Sequence, residues 1–159
     1  MNRIIVGMAD YAIVKCPTKV ATLGLGSCIG ITLYDPMVKI GGLVHIMLPS
    51  VDQARSKDNK AKFADTGIVH LVEEMVKQGA VKRRLEAKIA GGASMFSFGE
   101  KSQIKIGQRN AEMTKNVLKN LNIPIISEDT GDKYGRTIEL ESCNGVLHVK
   151  SALKGNKEI

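Results

Sequence analysis

The spacing of apolar positions changes several times along the chain, and each change marks an element. Residues 4–15 are apolar but broken by Gly7 and Asp10, which predicts one or two strands. A short strand is expected over Lys19–Leu23, running into a tight glycine-rich loop, Gly24-Leu25-Gly26-Ser27-Cys28. Ile29–Tyr34 reads as a strand, Asp35-Pro36 as the start of a turn, and Gly42–Leu48 as a returning strand. Polar Pro49–Lys62 reads as a loop. From Phe63 to Gln78 the residues Ile68, Leu71, Val72, Met75 and Val76 recur at helical spacing, and Gly79 is a natural stop. Leu85–Ala90 predicts a strand ending in Gly91-Gly92. Gly107–Leu121 predicts a second helix with Ala111, Val117, Leu118 and Leu121 on its apolar face. Pro124–Ser127, Thr137–Glu141 and Val146–Lys150 read as further strands, with turns at Gly131, Gly135 and Asn144-Gly145. This order predicts an α/β fold, one domain over residues 1–159, with a mixed, largely antiparallel sheet and two main helices.

Composition changes this picture little. A chain of 159 residues suits one core, and with no tryptophan and 4% aromatics that core must be aliphatic. Lys and Arg number 23 against 16 Asp and Glu, a net charge of +7 that would steer the protein toward an acidic partner. The basic residues are scattered. Their densest cluster, Lys82-Arg83-Arg84, has no aromatics beside it for base stacking, so it reads as solvated surface and not as a nucleic-acid patch. No apolar run approaches the ~20 residues of a membrane span. The segment Met1–Val6 lacks a signal peptide's apolar region, so a cytoplasmic protein without membrane insertion is expected. Cys16, Cys28 and Cys143 show no metal-binding spacing, and an odd number in a reducing compartment argues for free thiols.

Among these cysteines Cys28 stands apart for a geometric reason. If the strands around Pro36-Met37 form a hairpin with opposed numbers summing to 73, Cys28 lies opposite His45. A loop longer by two residues makes the sum 75 and leaves Cys28 diagonal to His45, still on the same face. Ile29, Ile31, Leu33, Val44, Ile46 and Leu48 then form a core face, while Cys28 and His45 share the other with Thr32 and Tyr34. A thiol beside an imidazole can form a thiolate–imidazolium pair, and only the thiolate is a good nucleophile. The glycines before Cys28 would admit a substrate closely and free backbone N–H groups for an oxyanion. A buried structural cysteine and a packed histidine remain the competing explanation. Cys16, Cys143, His70 and His148 have no comparable setting and read as structural or surface residues.

Six runs carry a resemblance that spans most of the chain in order. They are Thr22–Cys28, Gly41–Pro49, Phe63-Ala64-Asp65-Thr66, Lys88–Phe96, Ile106-Gly107-Gln108-Arg109-Asn110 and Asp129–Arg136. Together they resemble the CheD family of chemoreceptor glutamine deamidases. The one departure is Asp132, where a second glycine is expected. The resemblance implies a layered α/β sandwich similar to the catalytic domain of cytotoxic necrotizing factor toxins. It implies hydrolysis of selected glutamine side chains on chemotaxis receptors to glutamate, with ammonia released, and action on glutamyl methyl esters there. It implies Cys28 as nucleophile, His45 as base and Thr22 as the residue orienting the histidine. Gly26 and Ser27 would line the substrate, and no metal or organic cofactor is expected.

In the expected reaction the Cys28 thiolate attacks the amide carbonyl while N–H groups near Ser27 and Cys28 hold the oxyanion, one such donor being worth roughly 3 kcal/mol. Protonated His45 releases ammonia, and neutral His45 then activates water against the thioester. The receptor's acidic helical region is the expected partner, with Arg109 and Arg136 as candidates for its recognition or for structural ion pairs. The resemblance also implies binding to, and stimulation of, the chemotaxis phosphatase CheC. Two other readings stay open: a regulatory module acting mainly on that phosphatase, and a generic cysteine protease.

Overall fold

The computed structural model describes residues 2–54, 56, 58–94 and 101–159. Among the described residues ten strands form two five-stranded sheets, where the sequence pattern suggested one. The first sheet has the order β1 (Arg3–Val6), β3 (Lys19–Leu25), β8 (Arg136–Glu141), β9 (Leu147–Ser151), β10 (Gly155–Glu158). The second has the order β2 (Tyr11–Lys15), β5 (Ile40–Ile46), β4 (Ile29–Asp35), β6 (Glu86–Gly91), β7 (Ile125–Thr130). Six of the eight pairings between these strands are antiparallel; β1–β3 and β6–β7 are parallel. The expected mixed, largely antiparallel α/β arrangement is therefore present. Among the described residues no helix is long and apolar enough to cross a membrane.

Strands β4 and β5 are buried along their whole lengths because both faces are covered. On one face Ile29, Ile31, Leu33, Val44 and Ile46 pack with α1 (Ala64–Lys77) and α2 (Lys101–Asn120). On the other, Leu43 and the half-buried Cys28 pack with Val6, Val20, Leu25, Ile138 and Leu140 of the first sheet. The layers thus run helices, second sheet, first sheet. Leu48 departs from the expected core face: it lies beyond β5, half-buried, in an isolated bridge to Phe63. In α1 the residues Ile68, Leu71, Val72 and Met75 are buried as expected, but Val76 is exposed. The helix stops where anticipated, with Gly79 at φ 114°.

The hairpin register differs from the first expectation. Gly30 pairs with His45 and Tyr34 with Gly41, so opposed numbers sum to 75. The turn spans four residues, Pro36–Lys39, because Lys39 takes a left-handed conformation (φ 54°) and its N–H returns to the Asp35 carbonyl at 2.9 Å. Buried Asp35 also accepts Arg84 at 2.9 Å, so part of the Lys82–Arg84 cluster is engaged in structure.

Among the described residues helix α2 covers Lys101–Asn120, so it already includes the six residues before the expected Gly107. Gly107 lies inside the helix because a Cβ there would meet the carbonyl oxygens of Ala93 (2.5 Å) and Gly92 (2.7 Å). Strand β10 is a polar edge strand with no alternating pattern to reveal it. Cys16 and Cys143 are not free: they form a disulfide with Cα atoms 4.6 Å apart, across 127 residues of sequence. Asp132 adopts φ 62°, a backbone that favours glycine, which explains why glycine is expected there. The Met95-Phe96 end of the run that starts at Lys88 lies outside the described residues.

Candidate active site

Three segments meet where the two sheets face each other. His45 sits near the end of β5, almost fully buried. Its backbone is held by the turn between β1 and β2: the Ala9 N–H donates to the His45 carbonyl (2.9 Å), and the His45 N–H to the Asp10 carbonyl (3.1 Å). Its ring reaches across to the other sheet, where Thr22 Oγ1 lies 2.7 Å from His45 Nδ1. The same hydroxyl donates to the Val6 carbonyl at 2.7 Å. A hydroxyl has one hydrogen, and Val6 takes it. Thr22 therefore accepts from Nδ1–H, and the tautomer leaves the Nε2 lone pair free. Nε2 is buried and has no hydrogen-bond partner among the described residues.

The approach of the sheets at this point depends on Gly30. It pairs with His45, and a Cβ on it would meet Ile138 Cδ1 at 2.6 Å. Ile138 is in turn the ladder partner of Thr22. The missing side chain thus lets β3 and β8 come close enough for Thr22 to reach the imidazole. Just beyond Thr22 the β3–β8 register shifts by one residue, and Gly24 takes φ 66°. Beyond this bulge one further pair, Leu25 with Arg136, completes the ladder before the chain enters the Cys28 loop.

Cys28 immediately precedes β4 and lies on the same face as Gly30, diagonal to His45. Diagonal neighbours sit about 7–8 Å apart, so the two residues share a face, and Cys28 Sγ and His45 Nε2 are not hydrogen-bonded to each other. Cys28 is the free cysteine among the described residues. Burial pushes the Cys28 thiol up, opposed by a smaller lowering from its own backbone N–H, and burial pushes the His45 imidazole down. Taken singly, each shift favours the uncharged form of its group.

The loop before Cys28 is held by its carbonyls. Ala93 N–H donates to Gly26 O (2.9 Å), Asn110 Nδ2 to Ser27 O (2.9 Å) and Gly92 N–H to Cys28 O (2.8 Å). A Cβ at Gly91 would collide with the Cys28 carbonyl oxygen. The glycines at 91 and 92 therefore let β6 and its following turn approach the loop. Carbonyl and N–H point in opposite directions across a trans peptide unit, so these anchors leave the Ser27 and Cys28 N–H groups facing away from them.

Sequence reasoning about the remaining candidates meets a mixed outcome. Arg136 is buried, pairs with Asp129 at 3.2 Å and stacks over Tyr134, so it is structural. Arg109 is exposed and lines a cleft with Pro49, Ser50 and Glu112. His70 packs edge-on against Tyr11, and His148 pairs with Glu141 at 2.8 Å, both away from Cys28. Asn110 was missed as a contributor to the loop. Its partners are carbonyls 83 and 63 residues away, which no local spacing signals.

The arrangement defines a two-sheet α/β protein with a threonine, a histidine and a free cysteine gathered between its sheets. The chain belongs to the CheD family. The family model described as CheD chemotactic sensory transduction matches residues 47–151. A Caldanaerobacter subterraneus relative named "Probable chemoreceptor glutamine deamidase CheD" is 56% identical over 155 residues, covering 97% of this chain and 96% of the relative. One of the same name from Syntrophomonas wolfei is 52% identical over 161 residues, covering 100% of both. A Methanosarcina acetivorans relative, "Probable chemoreceptor glutamine deamidase CheD 1", is 50% identical over 156 residues, covering 98% and 96%. The family-model match starts two residues after His45, whereas these relatives extend over nearly the whole chain.

Solved structures share the fold at low identity. The hypothetical protein YfiH of Bacillus licheniformis matches with a TM-score of 0.50 at 14% identity, over 76% of this chain and 50% of that one. The Neisseria meningitidis protein NMB0706, of family-model DUF152, matches with a TM-score of 0.51 at 7% identity, over 83% and 64%.

Proposed function

We propose that this chain is a chemoreceptor glutamine deamidase in which Cys28 is the nucleophile, His45 the general base and Thr22 the residue that fixes the histidine. The observation that supports the residue roles is the Thr22–His45 hydrogen bond, which occupies Nδ1 and leaves Nε2 without a partner among the described residues, on the sheet face that also carries the free cysteine. The reaction class rests on family membership and on the names of the near-full-length relatives.

The Cys28 sulfur attacks the glutamine side-chain carbonyl as its proton passes to His45 Nε2. The Ser27 and Cys28 N–H groups stabilise the oxyanion, with Gly26 giving the substrate room. The imidazolium formed in the attack then protonates the leaving nitrogen. Ammonia departs, a thioester remains, and neutral His45 draws a proton from water to release glutamate. Thr22 accepts from Nδ1–H throughout, since that nitrogen carries its hydrogen in both protonation states.

The substrate in this reading is the acidic helical region of a chemoreceptor, approached by a chain of net charge +7. Exposed Ile5, Met8 and Leu23 flank the segments that carry Val6 and Thr22, which supports a protein-sized partner at this end of the sandwich. The same surface is our candidate for binding the phosphatase CheC. A single catalytic domain over residues 1–159, a cytoplasmic location, and a likeness to the catalytic domain of cytotoxic necrotizing factor toxins belong to the same proposal.

The test is incubation with a receptor cytoplasmic fragment, reading ammonia and peptide masses. Cys28→Ala should abolish ammonia release with the fold intact and phosphatase binding retained. Chain cleavage in place of amide-to-acid conversion would instead support a protease.

A further inference from the structure

We infer that Asn110 is a positioning residue for the oxyanion site, setting from α2 the direction in which the Cys28 N–H points. The inference rests on Cys28 being the nucleophile. Asn110 is fully buried, and its Nδ2 donates to Ser27 O at 2.9 Å and to Met47 O at 3.0 Å. One amide group therefore joins the residue before the nucleophile to the residue two beyond the base. Ser27 O and the Cys28 N–H belong to one trans peptide unit and point in opposite directions. Gripping that carbonyl from the helical layer turns the Cys28 N–H away from the helices, toward the space between the sheets into which the His45 ring reaches.

The flanking peptide units are fixed by backbone donors, Ala93 N–H on Gly26 O and Gly92 N–H on Cys28 O. The central unit, which bears the Cys28 N–H, is fixed by a side chain. That side chain is not chosen for burial alone. Asn110 Oδ1 is buried without a partner among the described residues, so an apolar residue of the same shape would avoid its desolvation. What Asn supplies at this position is the pair of donors.

A role in aiming an N–H can be separated from a role in holding the fold or activating the thiol. Deamidation passes through an oxyanion, whereas alkylation of Cys28 by iodoacetamide is a direct displacement that forms none. In Asn110→Leu, which keeps the branching of the side chain at a larger volume and removes both donors, kcat for ammonia release from the receptor fragment should fall about 10- to 100-fold with KM little changed. The iodoacetamide rate at Cys28 should stay within about twofold of the parent, because thiol activation is untouched. Asn110→Ser, smaller and easier to accommodate, should show the same split if the leucine variant does not fold.

An unchanged kcat in a folded variant would overturn the inference. So would a parallel loss of deamidation and alkylation, which would mean that Asn110 holds the cysteine and histidine together. Cys28→Ala run alongside separates the two levels. Ammonia release that survives it overturns the nucleophile reading and this inference with it. An inactive Cys28→Ala beside a fully active Asn110→Leu overturns this inference alone.

Discussion

Thr22 and His45 belong to different sheets, and the hydrogen bond between Thr22 Oγ1 and His45 Nδ1, 2.7 Å long, crosses the layer between them. Because Thr22 gives its hydrogen to Val6, the bond selects the tautomer as well as the orientation of the ring. Thr22→Val keeps the shape and removes the acceptor. It should lower kcat about tenfold to a hundredfold, short of the roughly 10²–10⁴ that a general base contributes in all. It should also cost about 1–3 kcal/mol of stability by leaving Nδ1–H buried and unpaired. Ammonia release and urea unfolding measure the two effects, and Thr22→Ser should restore most of both.

Burial moves the two reacting groups in opposite directions, His45 down and Cys28 up. In the proposed mechanism the thiol and the imidazole together carry no net charge in the active form. Activity should therefore rise as His45 loses its proton, below the ordinary histidine value of 6.5, and fall as Cys28 ionises, above the ordinary thiol value of 9.0. The kcat/KM profile should show a broad plateau between these limbs. An alkylation profile with an acidic thiol limb would show a preformed thiolate–imidazolium pair instead.

Gly30 has no room for a side chain between the sheets. Gly30→Ala would drive a methyl group into Ile138 Cδ1, 2.6 Å from the ideal Cβ, and displace the ladder partner of Thr22. Overpacking of this kind costs about 1–3 kcal/mol, and activity should fall further than stability because Thr22 moves with Ile138. Adding Ile138→Val should recover part of the stability, as read from urea midpoints.

The cysteines give a count that mass spectrometry can read. Unfolded, unreduced protein should take up alkylating reagent at Cys28 alone, and reduction should expose Cys16 and Cys143. Three labels without reduction would contradict the disulfide. Since two thiols are already bonded, selective labelling of Cys28 in the native protein does not by itself indicate activation. Loss of that labelling in His45→Ala does.

What was legible in the sequence follows from where the physical information lies. Alternation along Ile29–Tyr34 and Gly42–Leu48 placed Cys28 and His45 on one face, because side-chain period survives any even error in register. The register itself was not legible: it turns on the left-handed backbone of Lys39, a residue with no special preference for it. Thr22 could not be reached by pattern, since it lies on the other sheet and came only through family resemblance. The disulfide and the Asn110 bonds were invisible for the same reason, being long-range contacts made by residues with unremarkable neighbours. Val76 lies at helical spacing in α1 yet is exposed, because that spacing defines an apolar stripe but not how much of it the partner covers.

The nucleophile itself is tested most directly by trapping the acyl-enzyme. A glutamine-containing receptor peptide is mixed with the protein, quenched in acid within a turnover, and the intact mass is read and mapped. The expected result is an adduct equal to the peptide less ammonia, attached at Cys28, absent in Cys28→Ala and accumulating when water activation is slowed. Deamidation that proceeds in Cys28→Ala, or an adduct that maps to another residue, would contradict the assignment.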